Sequence, residues 1–161
     1  MIDANKKRFT KDFTLQEPIC EEGIEKAVAI LKSGKIHRYN VDPDEKGEAA
    51  LLEEEFAAYM GKKYCLACAS CGSAMYLALK SAGVGKGDKV LCVENGYFGE
   101  KWEEIVETHG GEVDRVRFEW GSPVEVKQVK EKLSSNEYKL FTVEHVDTST
   151  GIANDLKKIG E

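Results

Sequence analysis

The sequence predicts an α/β fold in which a mainly parallel β-sheet lies between two layers of helices, a three-layer αβα arrangement. From residue 63 onward, short apolar segments of about five residues alternate with helical patterns of about ten residues. The apolar segments are largely continuous, which is typical of strands buried on both faces. Glycine-containing turns separate them. Strands that alternate with helices in this way form crossover units with parallel pairing.

The chain is predicted to have two parts. Residues 1–62 form an N-terminal arm and two helices, and residues 63–161 form the α/β domain. The arm is assigned to residues 1–17, which are polar with two scattered aromatic side chains, Phe9 and Phe13.

Both N-terminal helices are predicted from apolar spacing and from their end signals. The first opens at Pro18 and closes at Gly34, and the second covers residues 47–60 and stops at Gly61. Residues 34–46 are rich in glycine, proline, asparagine and aspartate and are predicted to be a loop.

The α/β domain is predicted to hold four strands alternating with helices. In chain order these are a strand at 64–69, a helix at 72–82, a strand at 89–93, a helix at 100–108, a strand at 112–118, a helix at 123–133, a strand at 138–143 and the start of a helix at 152–159. The last helical pattern reaches almost to Glu161. Since complete domains seldom stop within a helix, we expect this domain to be truncated.

Composition limits the classes of function. The chain has 161 residues, of which 42% are hydrophobic and 32% charged, and this balance is typical of soluble globular proteins. A net charge of −6 argues against a nucleic-acid-binding surface. No segment is apolar enough to span a membrane, and the polar start of the chain is unlike a secretory signal. Five cysteines without such a signal favour a reducing, cytoplasmic location.

The first candidate site is the turn Ser70-Cys71-Gly72-Ser73, between a predicted strand and a helix. Small residues let a ligand approach the backbone, and the free N–H groups and dipole of a helix start favour an anion such as phosphate. A plain turn with a serine cap is the alternative interpretation.

A second candidate is the cysteine series Cys65, Cys68 and Cys71, whose spacing matches part of an iron–sulfur motif. Cys92 or Cys20 would have to supply the fourth ligand. Alternation along a strand puts Cys65 and Cys68 on opposite faces, which opposes convergence on a cluster. Buried cysteine is also a common small core residue, so we predict no metal site.

Two further candidate loops each follow a predicted strand. The first, residues 95–99, presents Tyr97 and Phe98, which could stack on a flat heteroaromatic ring or plug the core. The second, residues 145–151, carries a histidine, an aspartate and three hydroxyl side chains, including Thr148, which could bind a polar ligand or cap the next helix. A serine hydrolase is a poor fit because the chain has no G-x-S-x-G elbow.

Three of these loops, at residues 70–73, 95–99 and 145–151, follow strands. The carboxyl ends of parallel strands meet at one edge of a sheet, where ligands of open α/β folds bind. The sequence therefore predicts one shared ligand site at that edge.

The loops are also similar to those of two related groups of enzymes. The strings Asn-Gly-Tyr-Phe-Gly-Glu-Lys-Trp (95–102), Glu-Trp-Gly-Ser-Pro-Val (119–124) and Thr-Ser-Thr-Gly (148–151) resemble class V aminotransferases of the alanine/serine–glyoxylate type. The earlier strings Leu-Lys-Ser-Gly (31–34) and Ser-Cys-Gly-Ser-Ala (70–74) resemble the DegT/DnrJ/EryC1/StrS aminotransferases. Both groups have the fold-type I architecture and use pyridoxal 5′-phosphate (PLP).

The resemblance implies a role for each loop. Ser70, Cys71, Gly72 and Ser73 would hold the cofactor phosphate, with the family's Ser-Gly-Thr matched by residues 71–73 or, one residue earlier, from Ser70. Phe98 would stack on the pyridine ring in the class V register, and Tyr97 in the other. Thr148 would bind the phenolic oxygen. The family's activity implies amino-group transfer from an amino acid to an oxo acid such as glyoxylate, in a homodimer.

No lysine of the chain matches the family's Schiff-base lysine, and the aspartate that pairs with the pyridine nitrogen is not matched either. Since that lysine also moves the proton between substrate and cofactor, we expect the 161-residue chain to be inactive by itself. A non-catalytic protein that binds phosphate compounds or pairs with a partner chain is the alternative. An iron–sulfur or redox protein is a third reading.

Overall fold

The computed structural model describes residues 12, 14–42 and 44–161. They belong to two compact units, one ending at Ala67 and the other covering Cys68–Glu161. Most of the predicted arm, including Phe9 and Phe13, lies outside the described residues. A domain boundary between residues 62 and 63 stays a prediction.

The first unit contains two helices, α1 (Glu21–Ser33) and α2 (Glu48–Tyr59). Gly34 ends α1 in the left-handed conformation, at φ 71°, and its N–H donates to the carbonyl of Leu31. That conformation favours glycine, as the sequence predicted. Two glutamates in the first turn of α1 and Lys32 in the last turn also suit the helix dipole.

The second unit contains four helices and five strands. In chain order they are α3 (Cys71–Ser81), β1 (Lys89–Glu94), α4 (Tyr97–Thr108), β2 (Glu112–Arg117), α5 (Val126–Ser135), β3 (Leu140–Thr142), β4 (Val146–Asp147), β5 (Ile152–Ala153) and α6 (Leu156–Gly160).

Three of the strands form a parallel sheet in the order β2-β1-β3. Val90 in the central strand pairs with Val113 on one side and Leu140 on the other. β4 and β5 form a separate antiparallel hairpin, with Asp147 opposite Ile152. The prediction of a mainly parallel sheet is confirmed.

Helices pack on both faces of this sheet. Alternate residues of β1 point to opposite faces, so β1 contributes to two cores. Leu91 and Val93 belong to a core with Val129 of α5 and Ile159 of α6. Val90 and Cys92 belong to a second core with side chains of α3 and α4, Leu79 and Val106. The two cores on either side of the sheet confirm the αβα arrangement.

Two element predictions were wrong, and several others differ from the observed bounds by up to three residues. Residues 64–69 form no strand, and Tyr64 and Leu66 are largely exposed. The predicted helix at 152–159 is instead the strand β5 followed by the short helix α6. α4 begins at Tyr97, three residues before the predicted start. Among the described residues, no helix is long and apolar enough to cross a membrane.

Candidate functional site

Ser70 caps the amino end of α3. Its backbone is extended, at φ −153°, and its Oγ accepts a hydrogen bond from the N–H of Ser73 at 3.1 Å. The Ser70 and Ser73 hydroxyls are 2.9 Å apart. An added Cβ at Gly72 would meet no atom of another part of the chain closer than Ser70 Oγ at 4.0 Å, so the space beside Gly72 is open. The capped turn that formed one of the two predictions for this segment is therefore present, and the anion site stays a prediction.

The carboxyl group of Asp147 caps the amino end of α4 from another part of the chain. Oδ2 of Asp147 accepts a hydrogen bond from the N–H of Phe98 at 2.9 Å. Oδ1 accepts from the N–H of Ser149 at 2.9 Å and from its hydroxyl at 2.5 Å. Ser149 Oγ in turn accepts from the N–H of Tyr97 at 3.0 Å. The loop after β4 is thereby fixed to the first turn of α4.

Tyr97 and Phe98 lie in that first turn and not in a loop. Both side chains are partly exposed, at 42% and 37%, so neither ring plugs the core. The two rings meet edge to face, with centroids 5.3 Å apart. Lys101 Nζ lies 4.9 Å from the centre of the Tyr97 ring. The Tyr97 ring therefore makes a cation–π contact with Lys101, and no such contact is described for the Phe98 ring.

The β4–β5 turn presents Thr148 to solvent beside the capping residues. Thr148 is exposed, whereas its neighbour Asp147 is completely buried. Gly151 adopts φ 71°, a conformation that favours glycine, and its N–H donates to the Asp147 carbonyl at 2.8 Å. A tight turn therefore separates an inward carboxylate from an outward hydroxyl on successive residues.

The first turn of α4 and the turn after β4 lie at the carboxyl edge of the sheet. α4 follows the carboxyl end of β1 directly. An added Cβ at Gly83, just beyond α3, would contact the side chain of Lys139, which immediately precedes β3. The carboxyl end of α3 therefore lies near the amino edge of the sheet. Hydrogen bonds join Tyr97 and Phe98 to residues 147 and 149, whereas none of the described hydrogen bonds joins residues 70–73 to this group, so their place in a shared site stays a prediction.

Two buried asparagines support the site and were not predicted as functional residues. Asn95 is 1% exposed and Asn154 is 3% exposed. Asn95 Nδ2 donates to Asn154 Oδ1 at 3.0 Å and to the Ser122 carbonyl at 2.9 Å. Asn154 Nδ2 donates to the Glu144 carbonyl at 2.8 Å, and its Oδ1 accepts from the N–H of Val124. The pair joins the end of β1 to the loop before α5 and to the hairpin.

Asp147 was predicted only as one polar group of its loop, or as a cap for the helix that follows it. Its actual partner is α4, which lies about 50 positions earlier in the chain. Spacing along the chain does not reveal such a partner. The Asn95-Gly96 pair before α4 is the sequence signal for such a cap, because a glycine next to a helix start leaves space for a side chain from another part of the chain.

The cysteines do not form a metal centre among the described residues. No group of three or more histidine, cysteine, aspartate or glutamate side chains in these residues could hold a metal ion. Cys71 is exposed at the start of α3, whereas Cys92 is completely buried in the core. Burial raises the pKa of the Cys92 thiol to about 11, so this side chain is an inert core residue.

The fold and the loops define the class of the protein. The alanine–glyoxylate aminotransferase of Nostoc sp. superposes with a TM-score of 0.59, covering 80% of this chain and 35% of that protein. At 22% identity this similarity shows the fold alone, which is that of the PLP-dependent fold-type I aminotransferases. The predicted fold class is confirmed.

The sequence specifies the family. The chain belongs to the DegT/DnrJ/EryC1/StrS aminotransferase family, whose model matches residues 18–110. It is 42% identical over 90 residues to an uncharacterized aminotransferase of Methanocaldococcus jannaschii, covering 55% of this chain and 23% of the relative. It is 41% identical over 73 residues to alanine–glyoxylate aminotransferase 1 of Saccharomyces cerevisiae, covering 45% of this chain and 19% of that relative. The chain thus spans about a quarter or less of the length of these relatives, and both predicted resemblances are confirmed.

Proposed function

We propose that this chain binds PLP at the carboxyl edge of its sheet and serves amino-group transfer from an amino acid to an oxo acid. The observation that carries the proposal is the loop at residues 147–149. It fixes the turn that bears Phe98 and presents the Thr148 hydroxyl beside it. When bound, PLP supplies an electron sink for the chemistry at the amino carbon.

The amino ends of α3 and α4 differ in their capacity for a phosphate. A helix start attracts anions through its dipole and its free N–H groups. At α4 the Asp147 carboxylate already occupies this position, whereas at α3 the cap is the neutral hydroxyl of Ser70. A phosphate dianion therefore fits α3, where Cys71, Gly72 and the Ser73 hydroxyl would surround it. This matches the role that the family resemblance implies for residues 70–73.

The remaining groups suit the ring of the cofactor. Phe98 offers a partly exposed aromatic face for stacking on the pyridine ring. Thr148 offers an exposed hydroxyl that can donate to the phenolic oxygen. Tyr97 is the alternative stacking group, but Lys101 already lies over its ring. We therefore assign stacking to Phe98.

The chain has no assigned catalytic residue. None of its lysines matches the Schiff-base lysine of the family, so we propose that these 161 residues bind the cofactor without turning over substrate. Glyoxylate is the proposed acceptor, because alanine–glyoxylate aminotransferase 1 of yeast is among the relatives. A homodimer in the cytoplasm is proposed from the family resemblance.

Protection of Cys71 from alkylation tests the cofactor site. The ligand is 4-deoxypyridoxine 5′-phosphate, which has the ring, the phenol and the phosphate but no aldehyde to react with surface lysines. We expect it to slow iodoacetamide labelling of Cys71, while labelling of the exposed Cys20 stays unchanged as an internal control. Peptide mass spectrometry reads both sites in one digest.

Thr148→Ala refines this test. Loss of one hydrogen bond of about 1 kcal/mol should lower the affinity for 4-deoxypyridoxine 5′-phosphate about 5-fold in the same assay. Thr108→Ala, at the far end of α4, is the matched control and should leave the affinity unchanged. No protection of Cys71 in the unsubstituted chain would refute the PLP proposal. Equal protection by inorganic phosphate would favour a general phosphate-binding protein.

A further inference from the structure

Asp147 is a buried charge held by groups of the aromatic turn. Its side chain is 0% exposed. Its two oxygens accept hydrogen bonds from the N–H of Phe98 and from the N–H and hydroxyl of Ser149. We call Asp147 and Ser149, with the amide groups of Tyr97 and Phe98 that they bind, the aspartate clamp.

The charge of Asp147 is stable in this setting. Burial by itself would raise the pKa of the carboxyl group. The hydrogen bonds from Ser149, Phe98 and Gly99 outweigh that effect and hold the pKa below its usual value. The carboxylate also faces the positive end of the α4 dipole. Asp147 is therefore ionised at neutral pH.

Gly96 has no side chain, and the carboxylate of Asp147 occupies the space next to its Cα. Its backbone is extended, at φ −179°, which any residue could adopt. An added Cβ would nevertheless overlap all three atoms of the Asp147 carboxyl group. Glycine at position 96 is thus explained by the close approach of the clamp and not by backbone conformation.

We propose that Asp147 is a positioning residue that orients the Phe98 ring for stacking on the cofactor. The inference rests on the proposed function and extends it to a residue that does not touch the ligand. Asp147 binds the amide of Phe98 on one side and is covalently joined to Thr148 on the other. One buried side chain thereby sets the position of the stacking ring relative to the hydroxyl that binds the phenolic oxygen.

Asp147→Asn tests the proposal in two independent ways. The amide side chain keeps one acceptor oxygen but loses the charge and the second acceptor. Hydrogen exchange of the Phe98 and Gly99 amides should accelerate at least about tenfold, while the buried amides of β1 stay protected. This measurement needs no ligand and so tests the clamp even if PLP does not bind.

The second readout separates positioning from general damage. We expect the affinity for 4-deoxypyridoxine 5′-phosphate to fall about tenfold, and the affinity for inorganic phosphate, measured by Cys71 protection, to stay the same. Phosphate alone uses α3 and not the Phe98 ring. Equal losses for both ligands, or no change in either exchange or affinity, would overturn the proposal. Failure of the unsubstituted chain to bind 4-deoxypyridoxine 5′-phosphate would refute the proposed function. The hydrogen-exchange rates would still show whether Asp147 holds the Phe98 and Gly99 amides.

One further variant serves as a control, and another replaces Asp147→Asn if that variant does not fold. Asp155→Asn is the matched control, because Asp155 also caps a helix, accepting from the N–H of Lys158 at 3.2 Å, but belongs to α6. It should change neither readout. If Asp147→Asn does not fold, Ser149→Ala replaces it, since Ser149 is exposed and its hydroxyl binds the Tyr97 amide. Faster exchange at Tyr97 would support the clamp, and unchanged exchange would overturn it.

Discussion

At the scale of single residues, the site depends on close approaches that only glycine allows. Gly99 lies in the first turn of α4 and is buried against the end of β1. An added Cβ would lie 2.9 Å from the Val93 carbonyl oxygen and 3.0 Å from the Glu94 Cα. Both atoms belong to the backbone of the central strand and cannot move aside easily. The short distance between α4 and β1 thus requires glycine.

Gly99→Ala should therefore destabilise the protein although alanine is the better helix former. We expect the overlap with β1 to exceed the helix-propensity gain and to lower the free energy of unfolding by about 1–3 kcal/mol. Urea denaturation followed by circular dichroism measures this change. Gly160→Ala is the control, because a Cβ there meets no atom within 4 Å. A Gly99→Ala variant as stable as the parent would show that α4 is free to shift away from the sheet.

At the scale of elements, local signals predicted those whose ends are marked in the sequence. Gly34, Gly61 and Gly83 follow three helices and all have positive φ, and these helices occur close to their predicted bounds. Apolar content alone was not sufficient. Residues 64–69 have the composition of a buried strand, but a strand exists only where a neighbour accepts its hydrogen bonds, and these residues join no ladder.

In the site, too, local sequence signals did not predict contacts between distant parts of the chain. The sequence predicted which segments carry polar and aromatic groups. Its reason, that each segment follows a strand, fails for residues 70–73, because residues 64–69 form no strand. It did not predict that Asp147 would cap α4 or that Asn95 would pair with Asn154, 59 positions away. These contacts depend on how the hairpin folds back on the sheet. The helical pattern at 152–159 failed for the same reason, since Ile152 pairs with Asp147 across the hairpin turn.

Asn154→Ala tests how the hairpin is held. The substitution would leave the N–H of Val124, the carbonyl of Glu144 and the amide of Asn95 without their buried partner. Since each unsatisfied buried group costs about 1–3 kcal/mol, we expect a combined loss of about 2–4 kcal/mol in the free energy of unfolding. Asn136→Ala is the control, because Asn136 is exposed and its contacts are local, with a hydrogen bond from its amide to the neighbouring Ser135 hydroxyl at 3.1 Å. A loss below that of the control would mean that the hairpin is fixed by other contacts.

At the scale of the whole molecule, acidic side chains outnumber basic ones, giving the net charge of −6. In the folded state, hydrogen bonds nevertheless stabilise the ionised form of several carboxyl groups of the second unit. A hydrogen bond from Tyr138 is the main cause that lowers the pKa of Asp114. Burial would raise the pKa of Glu94, but hydrogen bonds from Trp120 and Arg117 lower it overall. With Asp147, these groups link folding to ionisation.

The pH dependence of stability follows from the direction of these shifts. A carboxyl group with a lowered pKa in the folded state stabilises the fold fully above its unfolded pKa, which is about 4. That contribution is lost as the pH falls through the folded pKa. We therefore expect the urea midpoint to be nearly constant from about pH 7 to about pH 5 and to fall steeply below about pH 4.

A double variant, Asp114→Asn with Asp147→Asn, separates this linkage from general acid expansion. Because neither amide titrates, the double variant should be less stable at neutral pH but lose less of its remaining stability between about pH 5 and about pH 3. Asp44→Asn with Glu137→Gln removes the same number of charges from exposed sites and serves as the control. If both double variants and the parent chain lost stability in parallel below about pH 4, repulsion among the positive charges would explain acid unfolding. The hydrogen bonds to Asp114 and Asp147 would then have no measurable part in it.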